Sequence, residues 1–159
     1  MTDERDEDRT QEPPAAPHSP ADVAAEMYRN DAASQALGME IVSIETGRAV
    51  VRMVVGPDMV NGLNVCHGGL IFSLADSAMA FLSNAGNRYA IATNAEIDWV
   101  NPGRLGATLT ATAEERFARG RLAVADAVVT DETGTTIALF RGRTRLIDGQ
   151  HLPDPQRDG

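Results

Sequence analysis

The sequence predicts an α+β domain in which one long helix lies across a single antiparallel sheet, and three observations carry that reading. Two β-rich segments precede a long alanine- and leucine-rich stretch, and four more follow it. Short turn signals join the segments, so neighbouring strands must reverse direction. Between Gly68 and Asn87 the only charged side chain is Asp76, and a helix so poor in charge is enclosed on most sides. One sheet can wrap such a helix partway, and another subunit can cover the remainder.

The chain has 159 residues, enough for one core that buries roughly two-thirds of the unfolded surface and too few for a second. Residues 1–20 hold six acids, two arginines and four prolines with almost no apolar side chains. Such a composition cannot offset its ordering entropy, and a disordered tail is expected. A second, flexible tail is expected over 148–159, which leaves one domain over 21–147. Ser19 followed by Pro20 reads as an N-cap and first helical residue, with Asp22 in the first turn near the positive end of the helix dipole. That short helix is expected to run to about Ala36, with Gly38 closing it in a left-handed conformation.

From Met39 the texture becomes β-branched. IVSIE, a turn at Thr46-Gly47, and RAVVRMVV read as a hairpin. A loop rich in turn formers, GPDMVNGLN, follows, and then GGLIFSLADSAMAFLSNAG, the main helix, which lacks proline and strict period-two alternation. Four strands are predicted after it: YAIATNAEIDWV, LGATLTATAEERFA, RLAVADAVVT and TTIALFRGRTRLI. Asn101-Pro102-Gly103, Arg119-Gly120 and Asp131-Glu132-Thr133-Gly134 separate them.

Composition excludes several function classes. Cys66 is the only cysteine, so no intrachain disulfide or cysteine-based zinc cluster can form, in keeping with a reducing compartment. The first ten residues are acidic where a secretion signal would be basic and then apolar, and a cytoplasmic protein is expected. No apolar run approaches the roughly 18 residues that a membrane helix needs. There is no lysine, and 14 arginines face 23 carboxylates for a net charge of −9, which argues against a nucleic-acid surface. A local arginine cluster for one phosphorylated ligand stays open. No Gly-x-Ser-x-Gly elbow, P-loop or dinucleotide glycine motif occurs.

The informative segment is Asn61-Gly-Leu-Asn-Val-Cys-His67-Gly68-Gly69, followed by Leu-Ile-Phe-Ser-Leu74-Ala75-Asp76. Two glycines at a helix start cost roughly 1 kcal/mol each relative to alanine. Either they form a flexible turn or a ligand approaches the backbone there. The first turn of a helix offers free N–H donors to a carbonyl oxygen that becomes negative during acyl transfer. Asp76 sits on a stripe of small residues with Gly69, Ser73, Ala80 and Ser83. A carboxylate covered in such a place loses hydration, and its pKa rises toward that of a useful base or nucleophile. His67, the only histidine outside the expected tails, is a capping or a positioning group. Asn61 is a turn residue or a holder of a water or carbonyl. Cys66 beside His67 does not make a nucleophile pair, because adjacent residues rarely present side chains to one another.

Geometry adds a constraint. Asp76 lies eight residues beyond Gly68, so along one helix the two are roughly 12 Å apart. Acyl transfer needs the acid and the oxyanion donors both within about 3 Å of the reacting group. If both act, Asp76 of one subunit faces Gly68 of another, and two-fold symmetry produces two intersubunit sites.

With these residues in view, the chain resembles the phenylacetate-pathway branch of the hotdog thioesterases. His67-Gly68-Gly69, six residues after Asn61 and followed by Phe72-Ser73-Leu74-Ala75-Asp76-Ser77-Ala78, carries the likeness. Leu37-Gly38-Met39, Ile97-Asp98-Trp99-Val100-Asn101-Pro102 and Ala138-Leu139-Phe140-Arg141-Gly142 extend it over about residues 22–147. The resemblance implies a hotdog fold, a long central helix wrapped by a curved antiparallel sheet of five to six strands, in homodimers that often pair into homotetramers. It implies hydrolysis of aryl- or acyl-CoA thioesters, hydroxyphenylacetyl-CoA among them, with no metal or cofactor; CoA enters only as part of the substrate. Gly68 would polarise the thioester carbonyl, with Gly69 beside it, His67 positioning the segment and Asn61 placing the carbonyl or water. Asp76 from the facing subunit would be general base or nucleophile. A small polar residue after the helix aligns near Thr93 or Asn94. Arg119 and Arg121 are phosphate-binding candidates for CoA, or else two solvated turn arginines. Trp99 replaces the smaller aromatic common at its position.

Two rivals use the same fold. A non-catalytic acyl-CoA sensor normally carries a DNA-binding part, and no basic helical segment is present. A hydratase or dehydratase needs an acid-base pair that the sequence does not offer.

Overall fold

The computed structural model describes residues 18–154. The tail expected over 1–20 therefore lies, for 1–17, outside the described residues, as do the last five residues of the tail expected over 148–159. Ser19 is the N-cap that its sequence implies: its hydroxyl accepts from the Asp22 N–H at 3.2 Å, while the Asp22 carboxylate accepts from the Ser19 N–H. The helix that follows is not one element to Ala36 but two, α1 (Pro20–Arg29) and α2 (Ala32–Ala36). Asn30 ends the first, and Asp31 starts the second by accepting from the Ser34 N–H at 2.9 Å. Both are residues whose short polar side chains compete with the helix for backbone partners. Gly38 closes α2 with φ +62°.

Six strands follow the predicted order: β1 (Glu40–Glu45), β2 (Arg48–Val54), β3 (Ala90–Trp99), β4 (Thr108–Arg119), β5 (Leu122–Thr130) and β6 (Thr136–Leu146). They form one antiparallel sheet in the order β1-β2-β4-β5-β6-β3. The long helix, α3 (Gly68–Asn84), lies between β2 and β3 in sequence and contacts all six strands. This is the hotdog arrangement, with the sheet wrapped about a central helix.

The helix can lie this close because the strands beneath it are lined with small residues. Register aligns Ala125, Gly142 and Ala95 in one row, and Ala113, Ala127, Phe140 and Ile97 in the next. Onto this floor α3 buries Ile71, Leu74, Ala75, Ala78, Met79 and Leu82, an i, i+3, i+4 stripe facing the sheet. Each large side chain so buried contributes about 1.5–3 kcal/mol of transfer free energy. Above the helix, Tyr28 of α1 packs its ring 6.5 Å from that of Phe81 and donates its hydroxyl to the Met39 carbonyl at 2.7 Å.

The C-terminal segment departs from the expected flexible tail as far as it is described. His151 Nε2 lies 2.8 Å from the side-chain oxygen of buried Asn84, and its ring packs edge-on against Tyr89. The Leu152 N–H donates to Asn87 at 2.9 Å, and His18 Nε2 meets the Pro153 carbonyl at 2.8 Å. The polar composition that suggested a tail instead supplies partners for the end of α3.

Gly142 tests the close seating. A side chain there runs into the Met79 thioether and, at 3.0 Å, the Phe140 ring. Gly142→Val should lower the urea unfolding midpoint by the equivalent of about 1–3 kcal/mol, the usual penalty for overpacking. Adding Met79→Ala should recover part of that loss in a double-mutant cycle.

Candidate active site

The loop ahead of α3 is fixed by its backbone. The Asn61 N–H donates to the Val65 carbonyl at 2.8 Å, that of Cys66 to Gly103 at 2.7 Å and that of His67 to Met59 at 2.8 Å. These bonds deliver His67 as the N-cap of α3, where its Nδ1 accepts from the Gly69 N–H at 3.0 Å. The capping option left open for His67 is thus realised. Gly69 is committed to that cap, and the Leu70 and Ile71 N–H groups both point to the His67 carbonyl. Among the described residues the Gly68 N–H has no partner, which leaves one free donor at the positive end of a 17-residue helix.

A side chain there would crowd Trp99. A Cβ on Gly68 would sit 3.0 Å from Trp99 Nε1, and the same indole N–H donates to the Gly68 carbonyl at 3.1 Å. The sequence noted Trp99 as a departure without revealing that its ring braces the first turn of the helix from the end of β3. Asn61, Gly68 and Trp99 line one open cleft together with Val65, Ile71 and Asn101, and no charged side chain borders it. Asn61 is both turn and candidate ligand group: its Oδ1 accepts from the Leu63 N–H at 2.9 Å. That bond sets the amide so that Nδ2 remains the free, donating end.

Asp76 is elsewhere. It lies two turns further along α3, roughly 12 Å from Gly68 at 1.5 Å per residue. Its side chain is half-buried on the stripe with Ser73, Ala80 and Ser83, and among the described residues it forms no hydrogen bond or ion pair. Burial pushes its carboxyl above the ordinary 3.8, because a charged form without partners loses hydration and gains nothing in return.

The remaining candidates separate. Thr93 is the bulged residue of β3, its hydroxyl donating to the Arg143 carbonyl at 3.3 Å, while Asn94 pairs with Arg143 on the sheet face away from α3. Arg119 and Arg121 flank Gly120, which has φ +61°, in the β4–β5 hairpin. Arg121 donates to Asp148 at 2.7 Å. Arg119 pairs in register with exposed Leu122. Cys66 is 3% exposed against Gly103, and burial pushes its thiol up, which keeps it protonated and inert. Among the described residues no three His, Cys, Asp or Glu gather as metal ligands, and no helix is long and apolar enough to cross a membrane.

Comparison with known proteins gives a consistent answer. Residues 63–138 match the model of the Thioesterase superfamily. The acyl-coenzyme A thioesterase PaaI of Escherichia coli is 45% identical over 123 residues, 77% of this chain and 88% of that protein. A putative esterase of Archaeoglobus fulgidus is 37% identical over 127 residues, 80% of this chain and 82% of its own length. The solved structure of the E. coli PaaI protein, from the phenylacetic acid degradation operon, superimposes with a TM-score of 0.82 at 42% identity, covering 86% of this chain and 99% of that one.

The raised carboxyl of Asp76 has a stability signature. A folded-state pKa above the unfolded value makes ionisation unfavourable to the fold, so stability falls as pH rises through the ordinary 3.8 toward the raised value, and the full penalty is present above both. Asp76→Asn should therefore unfold at higher urea than the parent at pH 7, with the gap narrowing by pH 4. Equal midpoints at pH 7 would show that the carboxylate carries no desolvation cost.

Proposed function

The chain belongs to the thioesterase superfamily, and on that premise we propose how it works: as an acyl-CoA thioesterase that takes aryl- or short-to-medium-chain acyl-CoA, phenylacetyl- and hydroxyphenylacetyl-CoA among them, to the free acid and CoA. The observation that carries the mechanism is the partition of groups along α3. A free N–H at Gly68 and a free amide end at Asn61 line one uncharged cleft, and the only carboxylate on the helix is roughly 12 Å away on a different face of the problem.

In this reading the thioester carbonyl oxygen accepts from the Gly68 N–H and from Asn61 Nδ2. Both donors strengthen as the oxygen becomes negative, and a preorganised donor of this kind is worth on the order of 10²–10³ in turnover. His67 keeps Gly69 occupied and so holds the turn open at Gly68. Asp76 of the partner subunit then acts on the carbonyl carbon, either directly or by taking a proton from an attacking water. CoA leaves as the thiolate and is protonated from solvent. Direct attack expels CoA and leaves a mixed anhydride with Asp76, so that in single turnover in ¹⁸O-water label in the Asp76 carboxylate, from water attacking the Asp76 carbonyl, identifies that route, while the general-base route labels only the acid released. No metal or other cofactor has a step in this scheme.

The pairing itself has support in β3. This ten-residue edge strand has an unpaired backbone edge and exposed Ile91, Trp99 and, just beyond it, Val100, a template for pairing with a second copy. We place the working unit as a homodimer, further paired into a homotetramer, in the cytoplasm. Thr93 at the bulge is the polar residue proposed to face the shared site. The sensor alternative predicts binding without turnover.

Mixing the protein with a panel of CoA esters and measuring free thiol tests the activity, and release with none of them despite tight binding would favour the sensor. Asp76→Ala should cut turnover by on the order of 10²–10⁴-fold with the oligomer intact. Co-assembled Gly68→Pro and Asp76→Ala chains should regain activity at the sites that combine one intact Gly68 with one intact Asp76. Verified mixed dimers that stay inactive would refute a shared site.

A further inference from the structure

We propose that Trp99 is a positioning residue for the oxyanion donor: together with His67 it clamps the Gly68–Gly69 peptide, and the clamp aims the free Gly68 N–H into the cleft. The role rests on the thioesterase reading above for its chemistry, and it falls on the residue that replaces the smaller aromatic common at this position.

A donor that meets a developing charge works best when it is held in place beforehand, because a preorganised dipole costs no reorganisation as the charge appears. Gly68 and Gly69 are poorly suited to hold it, since glycine torsions are the freest in a chain. The N–H groups of a first helical turn also lack the ladder bonds that stiffen the turns behind them. Groups outside the helix must therefore fix this turn.

Two rings do so, one for each glycine. A Cβ on Gly68 would meet Trp99 Nε1 at 3.0 Å and a Cβ on Gly69 would meet His67 Nδ1 at 3.1 Å, so each glycine backbone lies against a ring. Each ring also bonds one end of the same peptide group. The Trp99 indole N–H donates to the Gly68 carbonyl at 3.1 Å, and His67 Nδ1 accepts from the Gly69 N–H at 3.0 Å. A peptide group is planar, so holding its oxygen and its nitrogen fixes the whole plane. The preceding peptide is held through its own oxygen, the His67 carbonyl, which accepts from the Leu70 and Ile71 N–H groups at 2.9 and 3.3 Å. With the planes on both sides of the Gly68 Cα fixed, the direction of its N–H is fixed too. Among the described residues, that N–H is the one polar group of the two planes without a partner.

The rings differ in what they are tied to. His67 belongs to the loop that ends in the cap, whereas Trp99 ends β3. The backbone beyond Trp99 is anchored to the start of β6: the Val100 and Asn101 N–H groups donate to the Ile137 carbonyl at 2.9 and 3.2 Å, and the Asn101 amide donates to the Thr136 carbonyl at 2.7 Å. Ile137 is 1% exposed, so the base of the indole is set by the core although the ring itself is 54% exposed. Among the described residues, the indole bond is the only side-chain hydrogen bond from a strand to the first turn of α3. A phenylalanine ring fills part of the same space but has no N–H to give.

Trp99→Phe should cut kcat about tenfold with the oligomer intact, less than the 10²–10³ that outright loss of an oxyanion donor costs. Trp99 is the only tryptophan of the chain, so growth on 3-benzothienylalanine replaces this ring alone by one of the same shape with sulfur in place of the N–H. The same loss should appear there. Two uncleavable CoA analogues separate aiming from packing: a ketone, with methylene in place of the thioester sulfur, keeps the carbonyl, and a thioether lacks it. Trp99→Phe should weaken binding of the ketone about fivefold, roughly the worth of one hydrogen bond, and leave the thioether unchanged. Equal weakening of both would make Trp99 only a wall of the cleft and would overturn the role, as would full kcat with the benzothienyl ring. If the parent cleaves no CoA ester, the thioesterase reading fails, and ¹⁵N relaxation still decides the clamp. The order parameters of Gly68 and Gly69 should drop from about 0.85 toward 0.6 in Trp99→Phe, and unchanged values would overturn it.

Discussion

How deeply α3 sits in the sheet is the constraint on which the rest of the structure depends. Alanine at positions 95, 113, 125 and 127 and glycine at 142 remove the side chains that would hold helix and strands apart. The larger groups come from the helix, with Leu74 and Met79 reaching into the space thus made. Interiors pack at crystal-like density, so such a fit leaves the helix one depth and one rotation. That rotation decides what stays outside. Gly69, Ser73, Asp76 and Ala80 fall on a stripe beside the one pressed against the strands, with Ser83 at its end meeting Thr144 of β6, and the unpaired carboxylate of Asp76 is held on a helix whose other faces have no room to adjust.

The same seating divides the chemistry. An unbroken helix is a fixed ruler, and its first turn and its acid cannot converge on one atom. The loop before it adds to the division, since the cap at His67 consumes the second glycine N–H and leaves the first. Trp99 donates to the Gly68 carbonyl and narrows the space a side chain would have. What remains at this end is donors without a carboxylate, and at Asp76 a carboxylate without donors. A protein that keeps an unpaired, partly dehydrated carboxylate gives up some stability for it.

Much of this was legible in the sequence. All six strands and the main helix follow from β-branched runs, turn formers and the charge-free stretch, because each of those signals is local. The break at Asn30-Asp31 was local too, but it is carried by two residues that only mildly disfavour a helix, and a cap decides it. The C-terminal segment was misread for a different reason. Its polar residues form bonds to Asn84 and Asn87 that depend on where the end of α3 comes to lie. At the site, His67 and Asn61 could be ranked only as ambiguous until their acceptor atoms were placed.

The clasp between His18 and Pro153 brings the two described ends of the chain within hydrogen-bonding distance. Because residues 18 and 154 stand so close, a domain trimmed to them is a natural subject for circular permutation. A short linker could join residues 18 and 154, and new ends could be opened in the exposed turn at Glu132-Thr133-Gly134, which lies outside every strand. The hotdog topology would then no longer depend on which hairpin leaves the ribosome first.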